Sequence, residues 1–150
     1  MSKQKIMVGM SGGIDSSVTA YILQKDGYEV EGVYLKLHDR TDGYHESNLN
    51  YIDGVAKFLG IKYHILDLSK KFKKDVYDYF VNSYIDGNTP NPCVKCNKNI
   101  KFGAMLDFAK EQGASFLATG HYVKTDGKFF YVADDLSKDQ SYFLSQVPKD

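Results

Sequence analysis

A glycine-rich turn near the N-terminus constrains the fold of this chain more than any other feature. Residues 5–10 (KIMVGM) have the composition of a short buried strand, and they lead directly into GMSGGIDSS at residues 9–17. Glycines let backbone N–H groups approach a phosphate closely, and serines add hydroxyl donors. The helix that follows would present the positive end of its dipole to the same anion. The turn therefore predicts a phosphate-binding loop, with an ordinary glycine-rich turn as the alternative.

Apolar residues recur with alternating strand and helix periods along the rest of the chain. Strands are predicted at residues 5–10, 29–37, 61–66 and 115–119, and helices at 16–24, 48–59, 70–85 and 97–112. Prolines and glycines predict a loop at 86–96, and Asp126-Gly127 predicts the turn of a hairpin over 124–132. Strands that alternate with helices form a parallel sheet covered on both faces. We therefore predict an α/β fold with a doubly wound parallel sheet and helices on both faces.

Charge and hydropathy weigh against several classes of protein. Lysine and arginine together number 19, as do aspartate and glutamate, so the chain lacks an overall basic field for nucleic acid. Local lysine clusters remain at residues 70–74 and 95–101. No apolar run approaches the roughly 20 residues of a membrane helix, and the N-terminus does not match a signal peptide. We expect no membrane partner and a cytoplasmic location, and the ending at Lys149-Asp150 without a closing element predicts a truncated domain.

The two cysteines of the chain, Cys93 and Cys96, lie in the segment TPNPCVKCNK of residues 89–98. We predict that Cys96 lies just before a helix whose N-cap is Asn97. The helix dipole and three nearby lysines would then lower the pKa of the Cys96 thiol. These lysines are Lys95, Lys98 and Lys101. The spacing alone leaves two alternatives open, half of a zinc site and a pair of inert cysteines.

Five motifs together resemble those of the tRNA-specific 2-thiouridylases. In chain order they are the loop of residues 9–17, NPCVKCN at 91–97, IKFG at 100–103, ATGHY at 118–122 and KDQSYFL at 138–144. The loop alone resembles that of PP-loop ATP pyrophosphatases, which cleave ATP between its α- and β-phosphates. The resemblance implies an adenine-nucleotide α-hydrolase-like catalytic domain over residues 1–150, truncated at its C-terminal end. The family's central and C-terminal β-barrel domains would be absent from this chain.

The resemblance also implies a reaction. ATP, with Mg²⁺, would adenylate the 2-oxygen of the wobble uridine of tRNA. A persulfide supplied by a sulfur-relay protein would then replace that oxygen with sulfur, giving 2-thiouridine. The family's second catalytic cysteine, with which Cys96 would form a disulfide, would lie beyond residue 150. The implied partners are therefore tRNA and a persulfide-donating protein, and no metal ligands of the protein's own are implied.

Site residues carry over from the family position by position. The implied catalytic residues are Asp15, Cys93 and Cys96. The implied ATP-binding residues are Gly9, Met10, Ser11, Gly12, Gly13, Ile14, Asp15, Ser16, Leu35 and Gly120. The implied tRNA-contacting residues are Asn91, Pro92, Cys93, His121, Lys138, Asp139 and Gln140.

Many members of this family have aspartate where this chain has Cys93, and the difference leaves two roles open. Cys93 could replace the aspartate in managing protons, or Cys93 and Cys96 could ligate an iron–sulfur cluster, as Cys-x-x-Cys pairs do in some related thiolation enzymes. Two other functions compete with thiolation. One is an ATP pyrophosphatase that makes C–N bonds, which does not need the cysteine segment, and the other is a non-catalytic module that senses ATP.

Overall fold

Four parallel strands form the central sheet. In the computed structural model, which describes residues 3–148, they are β1 (Lys5–Gly9), β2 (Glu29–Lys36), β3 (Tyr63–Asp67) and β4 (Phe116–Ala118). Their order in the sheet is β3-β2-β1-β4. The chain therefore winds outward from β1 to β3 and then returns to the opposite side of β1. This order confirms the predicted doubly wound parallel sheet and puts its topological switch point between β1 and β4.

Helical segments alternate with these strands. The α-helices are α1 (Ile14–Lys25), α2 (Tyr44–Leu59), α3 (Ser69–Phe72), α4 (Asp78–Ile85), α5 (Pro92–Cys96) and α6 (Met105–Glu111). Two π-helical segments, Lys73–Tyr77 and Asn97–Ala104, join α3 to α4 and α5 to α6. The predicted hairpin is confirmed as β5 (Lys124–Thr125) and β6 (Phe130–Tyr131), which pair antiparallel, and a short 3₁₀ turn follows at Ser141–Leu144.

The chain divides into two compact units. The first runs to Lys70 and resumes over Met105–Gly120, so it contains the four-stranded sheet with α1, α2 and α6. The second comprises Lys71–Ala104 and the residues from His121 onward, so it contains α4, α5 and the hairpin.

Both faces of the sheet in the first unit are buried. On one face, Ile6 and Val8 of β1 pack with Ala20 of α1 and Ile52 of α2. The opposite face, with α6, is formed by buried Met7, Val33, Met105 and Ala109. Because successive side chains of a strand point to opposite faces, a strand covered on both sides is a continuous apolar run. This explains why β1 was recognisable from its sequence.

The largest disagreement with the sequence prediction lies at residues 86–96. We predicted a loop over this whole range, but α5 begins within it at Pro92. Proline suits the first position of a helix, because the missing N–H would have no intrahelical partner there. Lys149 and Asp150, on which the expected truncation rests, lie outside the described residues. Within residues 3–148, no helix is both long and apolar enough to span a bilayer.

A nearly buried ion-pair cluster ties three strand residues of the first unit together. Glu31, whose side chain is 12% exposed, accepts hydrogen bonds from Lys5 Nζ and His64 Nε2, each at 2.8 Å. Burial would raise the pKa of Glu31, but the hydrogen bonds from Lys5 and His64 outweigh it, so the pKa lies below its ordinary value. The ionised form of Glu31 therefore stabilises the fold.

We predict that Glu31→Gln lowers the free energy of unfolding by about 1–3 kcal/mol at neutral pH, because the carboxylate charge is lost and one of its two acceptor oxygens is replaced by an NH₂ donor. Since the folded pKa is lowered, this contribution is present above the unfolded pKa of about 4.3 and is lost as the pH falls through the folded value. Denaturant titrations at several pH values measure the effect. The control is Glu29→Gln, an exposed glutamate at the start of the same strand. A loss that stayed constant into acid would contradict the assignment.

Candidate nucleotide loop and cysteine helix

The loop between β1 and α1 is shaped by its own hydrogen bonds. Buried Ser16 donates from Oγ to the Gly13 carbonyl (3.1 Å) and accepts the Ser11 N–H (3.3 Å). Ser11 Oγ in turn accepts the Gly13 N–H at 3.3 Å. The Met10 N–H donates to the Val33 carbonyl of β2 at 2.8 Å, which fixes the start of the loop to the sheet. The loop conformation is thus held by its own hydrogen bonds and by its bond to the sheet.

The first turn of α1 is suited to hold an anion. Its N-cap is Gly13, which provides no side-chain acceptor. Gly13 therefore has no side chain that would compete with an anion for the N–H groups of this turn, and the dipole of a 12-residue helix adds a partial positive charge. Asp15 is the acidic residue of the same turn. A carboxylate beside bound phosphates is the arrangement that Mg²⁺ prefers, so these residues fit a magnesium-bound nucleotide.

Two glycines make this loop sterically feasible. Gly12 has φ +87°, a left-handed conformation, and a Cβ there would lie 3.2 Å from the Asn48 carbonyl oxygen of α2. Gly120, just after β4, packs so closely that a Cβ would lie 3.1 Å from the Ser16 nitrogen and 3.2 Å from the Asp15 carbonyl carbon. The structure therefore brings Gly120 to the phosphate loop at the switch point of the sheet.

Leu35 lies apart from this contact. It is on β2, opposite Leu66 of β3, and packs partly buried with the cluster on the α6 face. Its implied role in binding adenine stays a prediction.

Sequence reasoning missed Gly32, which the loop also requires. Gly32 lies inside β2, and a Cβ there would come within 2.6 Å of Met10 Sδ and 3.1 Å of Tyr63 Cβ. Only glycine leaves room for the buried Met10 side chain at the base of the loop. A glycine in a strand interior is itself a sign of close approach, and that signal was available in the sequence.

We predict that Gly120→Ala weakens ATP binding roughly tenfold or more, because its Cβ must displace the first turn of α1. Titration calorimetry with ATP measures the change. The matched control is Gly54→Ala in α2, where an added Cβ meets nothing within 4 Å. Equal affinities for the two variants would show that Gly120 does not shape the nucleotide site.

In the second unit, α5 carries both cysteines and begins differently from the prediction. Its N-cap is Asn91, whose Oδ1 accepts the Val94 N–H at 3.1 Å, and Pro92 occupies the first turn. The predicted N-cap Asn97 is wrong, because the helix is already formed there and continues as the π-helical segment. Asn97 is instead buried, and its Nδ2 donates to the Phe143 carbonyl at 3.0 Å.

The predicted lowering of the Cys96 pKa is also wrong. Cys93 is exposed, whereas Cys96 is half-buried at the end of α5. Burial raises the pKa of the Cys96 thiol, and the opposing effect of Lys101 does not offset it; the neighbouring Cys93 raises it further. Of the other lysines, Lys98 is exposed and Lys95 holds its Nζ 5.0 Å from the ring centroid of Tyr79.

The π-helical segment explains why Lys101 is the lysine that acts on Cys96. A π-helix has hydrogen bonds between residues five positions apart, which puts such residues on the same side of the helix. Lys101 follows Cys96 by five positions. Gly103 fits this geometry, because a Cβ there would lie 3.0 Å from the Lys98 carbonyl oxygen, again five residues away. Lys101 Nζ also lies 3.4 Å from His121 Nε2. Burial, with a contribution from Lys101, lowers the pKa of His121 to about 4, so the neutral ring accepts from the ammonium group.

We predict that Lys101→Met raises the pKa of Cys96, because the charge that opposes its burial is removed. In a Cys93→Ser background Cys96 is the only thiol of the chain, so its rate of alkylation against pH reports its titration directly. The matched control is Lys98→Met, which removes an exposed charge from the same helical run. An unchanged midpoint in the Lys101 variant would contradict the proposed pairing.

The other residues implied to contact tRNA are also in the second unit. Lys138 is exposed, with its Nζ 5.2 Å from the ring centroid of Tyr122. Asp139 and Gln140 are partly buried, and both accept hydrogen bonds from the backbone. Their direct contact with RNA stays a prediction.

The described residues do not complete a metal site. Within residues 3–148, no group of three or more His, Cys, Asp and Glu side chains is placed to hold a metal ion. Cys93 and Cys96 supply two thiols, whereas an iron–sulfur cluster is usually held by about four. These two residues therefore do not by themselves account for a cluster.

A glycine-rich loop, held by its own hydrogen bonds at the switch point of a doubly wound parallel sheet, is typical of a nucleotide-binding α/β domain. Comparison with protein families agrees: the model of the tRNA methyl transferase HUP domain matches residues 4–150. The chain belongs to this family.

Its relatives are consistent with the motifs. The chain is 79% identical over 150 residues to the tRNA-specific 2-thiouridylase MnmA 1 of Aliarcobacter butzleri (strain RM4018), and 56% identical over 150 residues to MnmA of Sulfurimonas denitrificans. All of this chain is covered, but it spans only 44% and 43% of those relatives. Among solved structures, the U34-tRNA thiolase NcsA of Methanococcus maripaludis, which has a [4Fe-4S] cluster, matches with a TM-score of 0.54 and 26% identity. That match covers 79% of this chain and 38% of NcsA. The predicted resemblance is confirmed.

Proposed function

We propose that this chain is the ATP-using part of a tRNA-uridine 2-sulfurtransferase. The observation that carries the proposal is the phosphate loop with Gly120 packed against Asp15 and Ser16, in a chain that also contains the Cys93/Cys96 helix. The 79% identity to a protein named as a 2-thiouridylase supports the same function. The catalytic domain would extend over residues 1–150, and further domains that bind tRNA would follow in the whole protein.

The first step uses ATP. The 2-oxygen of the target uridine attacks the α-phosphate, pyrophosphate leaves, and the oxygen becomes part of an adenylate that can depart as AMP. The N–H groups at the start of α1 and the loop serines would hold the phosphates, and Asp15 with phosphate oxygens would hold Mg²⁺. The metal would neutralise charge that develops on the phosphate oxygens.

The second step transfers sulfur. A persulfide donor passes its outer sulfur to Cys96, and the resulting persulfide attacks C2 of the uridine as AMP leaves. A second cysteine, outside this chain, then breaks the S–S bond and forms a disulfide with Cys96. The sulfane sulfur gains the two electrons that the cysteine pair loses, and an external dithiol reductant returns the disulfide to two thiols, so the balance closes.

Partial burial of Cys96 fits this role. Because Cys96 is half-buried, a persulfide formed on it would be partly shielded from water. Lys101 would place a positive charge near the anionic form of that persulfide. Asn91 to Cys93 and His121, in the same unit, are proposed to contact the RNA around the target base.

We predict that Asp15→Asn abolishes AMP formation by the full-length protein supplied with ATP, Mg²⁺, a persulfide donor and unmodified tRNA, because the carboxylate that assists the metal is lost. Cys96→Ser should retain pyrophosphate release but yield no 2-thiouridine. Pyrophosphate release and mass spectrometry of the tRNA nucleosides measure the two steps separately. Neither substitution adds bulk to the site.

These outcomes separate the three candidate functions. An enzyme that makes C–N bonds would be indifferent to Cys96→Ser in its complete reaction. A module that only senses ATP would release no AMP in any form. Full thiolation by the Cys96→Ser protein would overturn the sulfur step proposed here.

An iron–sulfur enzyme is the second candidate, favoured by the [4Fe-4S] cluster of the structurally similar NcsA. If Cys93 replaces the family's aspartate, we predict that Cys93→Asp stays active and contains no iron. If Cys93 ligates a cluster, the same change should remove iron from anaerobically purified full-length protein and stop thiolation. Iron content and 2-thiouridine yield, measured on one preparation, distinguish the two roles, and we favour the first.

A further inference from the structure

The β5–β6 hairpin exposes a run of aromatic side chains. Phe129 and Phe130 are 54% and 47% exposed, and Tyr131 follows them. The turn that presents them is well defined, because Asp126 Oδ1 accepts the N–H groups of Lys128 (2.8 Å) and Phe129 (2.7 Å). The rings are therefore displayed by a fixed turn.

Asp139 and Gln140 hold the two ends of this hairpin. Gln140 Oε1 accepts the Tyr122 N–H at 3.0 Å, and the Gln140 N–H donates to the Tyr122 carbonyl at 2.9 Å, just before β5. Asp139 Oδ1 accepts the Ala133 N–H at 2.8 Å, just after β6, while its Oδ2 accepts from Ser141. Because a two-stranded hairpin is marginally stable alone, these bonds decide where the aromatic rings lie.

Two lysines lie near aromatic rings of this segment, one at Phe129 in the exposed run and one at Tyr122, just before β5. Lys128 Nζ lies 5.3 Å from the centroid of the Phe129 ring, and Lys138 Nζ lies 5.2 Å from that of Tyr122. Aromatic faces with nearby cations are the surface that single-stranded nucleic acid uses, by base stacking and phosphate contact. Protein–protein interfaces are instead depleted in lysine, so RNA is the better-matched occupant.

We propose that the β5–β6 hairpin is a nucleobase-stacking arm that contacts tRNA. Asp139 and Gln140 are then positioning residues, which affect tRNA binding by holding the hairpin in place. The inference rests on the proposed function, because it takes tRNA as the substrate. The implied role of Asp139 and Gln140 in tRNA binding is thereby explained by their hydrogen bonds to the backbone at the two ends of the hairpin.

The first test measures the affinity of the full-length protein for unmodified tRNA at several salt concentrations. The paired change Phe129→Ser and Phe130→Ser should weaken binding roughly tenfold or more. The slope of log Kd against log salt should stay unchanged, since stacking releases no counterions. Lys138→Ala should instead reduce that slope.

The control is Phe58→Ser on α2, which removes an 83% exposed ring outside the hairpin. The conservative pair Phe129→Tyr and Phe130→Tyr keeps both aromatic rings and should therefore bind tRNA as the unaltered protein does.

A second test distinguishes positioning from direct contact. Gln140→Glu keeps the oxygen that accepts the Tyr122 N–H but loses the amide donors, whereas Gln140→Met loses the acceptor. Positioning predicts that tRNA affinity falls in the Met variant and largely survives in the Glu variant. A direct contact through the amide donors predicts that the Glu variant binds no better than the Met variant, and this outcome would overturn the positioning role. Thermal unfolding of both variants confirms that they are folded.

Unchanged tRNA affinity in the paired phenylalanine variant would overturn the stacking arm. Loss of a protein partner together with unchanged tRNA affinity would mark the hairpin as a protein-docking surface, which also overturns it. Failure of the proposed function is distinguishable, because the unaltered protein would then show no tRNA binding or AMP formation in the first place.

Discussion

The close approach of Gly120 to the first turn of α1 is the contact on which the nucleotide half of this chain depends. β4 pairs with β1 in a register that sets Ala118 beside Val8, so the chain leaving β4 must pass the phosphate loop two residues later. A Cβ at Gly120 would contact backbone atoms, which cannot move aside as a flexible side chain can. The sheet register and the loop conformation are therefore fixed together.

A structural feature could be predicted from the sequence where the residues that determine it are close together in the chain. The alternating strands and helices were predicted because β1 and its neighbours carry their burial in their apolar pattern. The phosphate loop was predicted because its glycines and serines are contiguous. Gly32 supports the loop from another strand, so its role becomes clear only when Met10 is seen packed over it.

The cysteine segment was harder to predict because two signals there conflict. Pro92 is compatible with a loop and with the first turn of a helix, and only the hydrogen bond from Val94 to Asn91 decides between them. The thiol of Cys96 likewise responds to charge, which sequence displays, and to burial, which it does not. Burial outweighs Lys101, and that ranking required the packed structure.

The π-helical segment makes the alignment of its side chains depend on how the helix is wound. An α-helix turns by about 100° per residue, so if the same residues from Asn97 to Ala104 were wound as a regular α-helix, Lys101 would lie about 140° around the axis from Cys96. Lys101 would then leave the side of the helix that Cys96 occupies, although every charged residue would still be present. The chemistry of the thiol is thus encoded partly in the winding of the helix between two side chains, and a chain with the same motifs in a regular α-helix would lose their alignment.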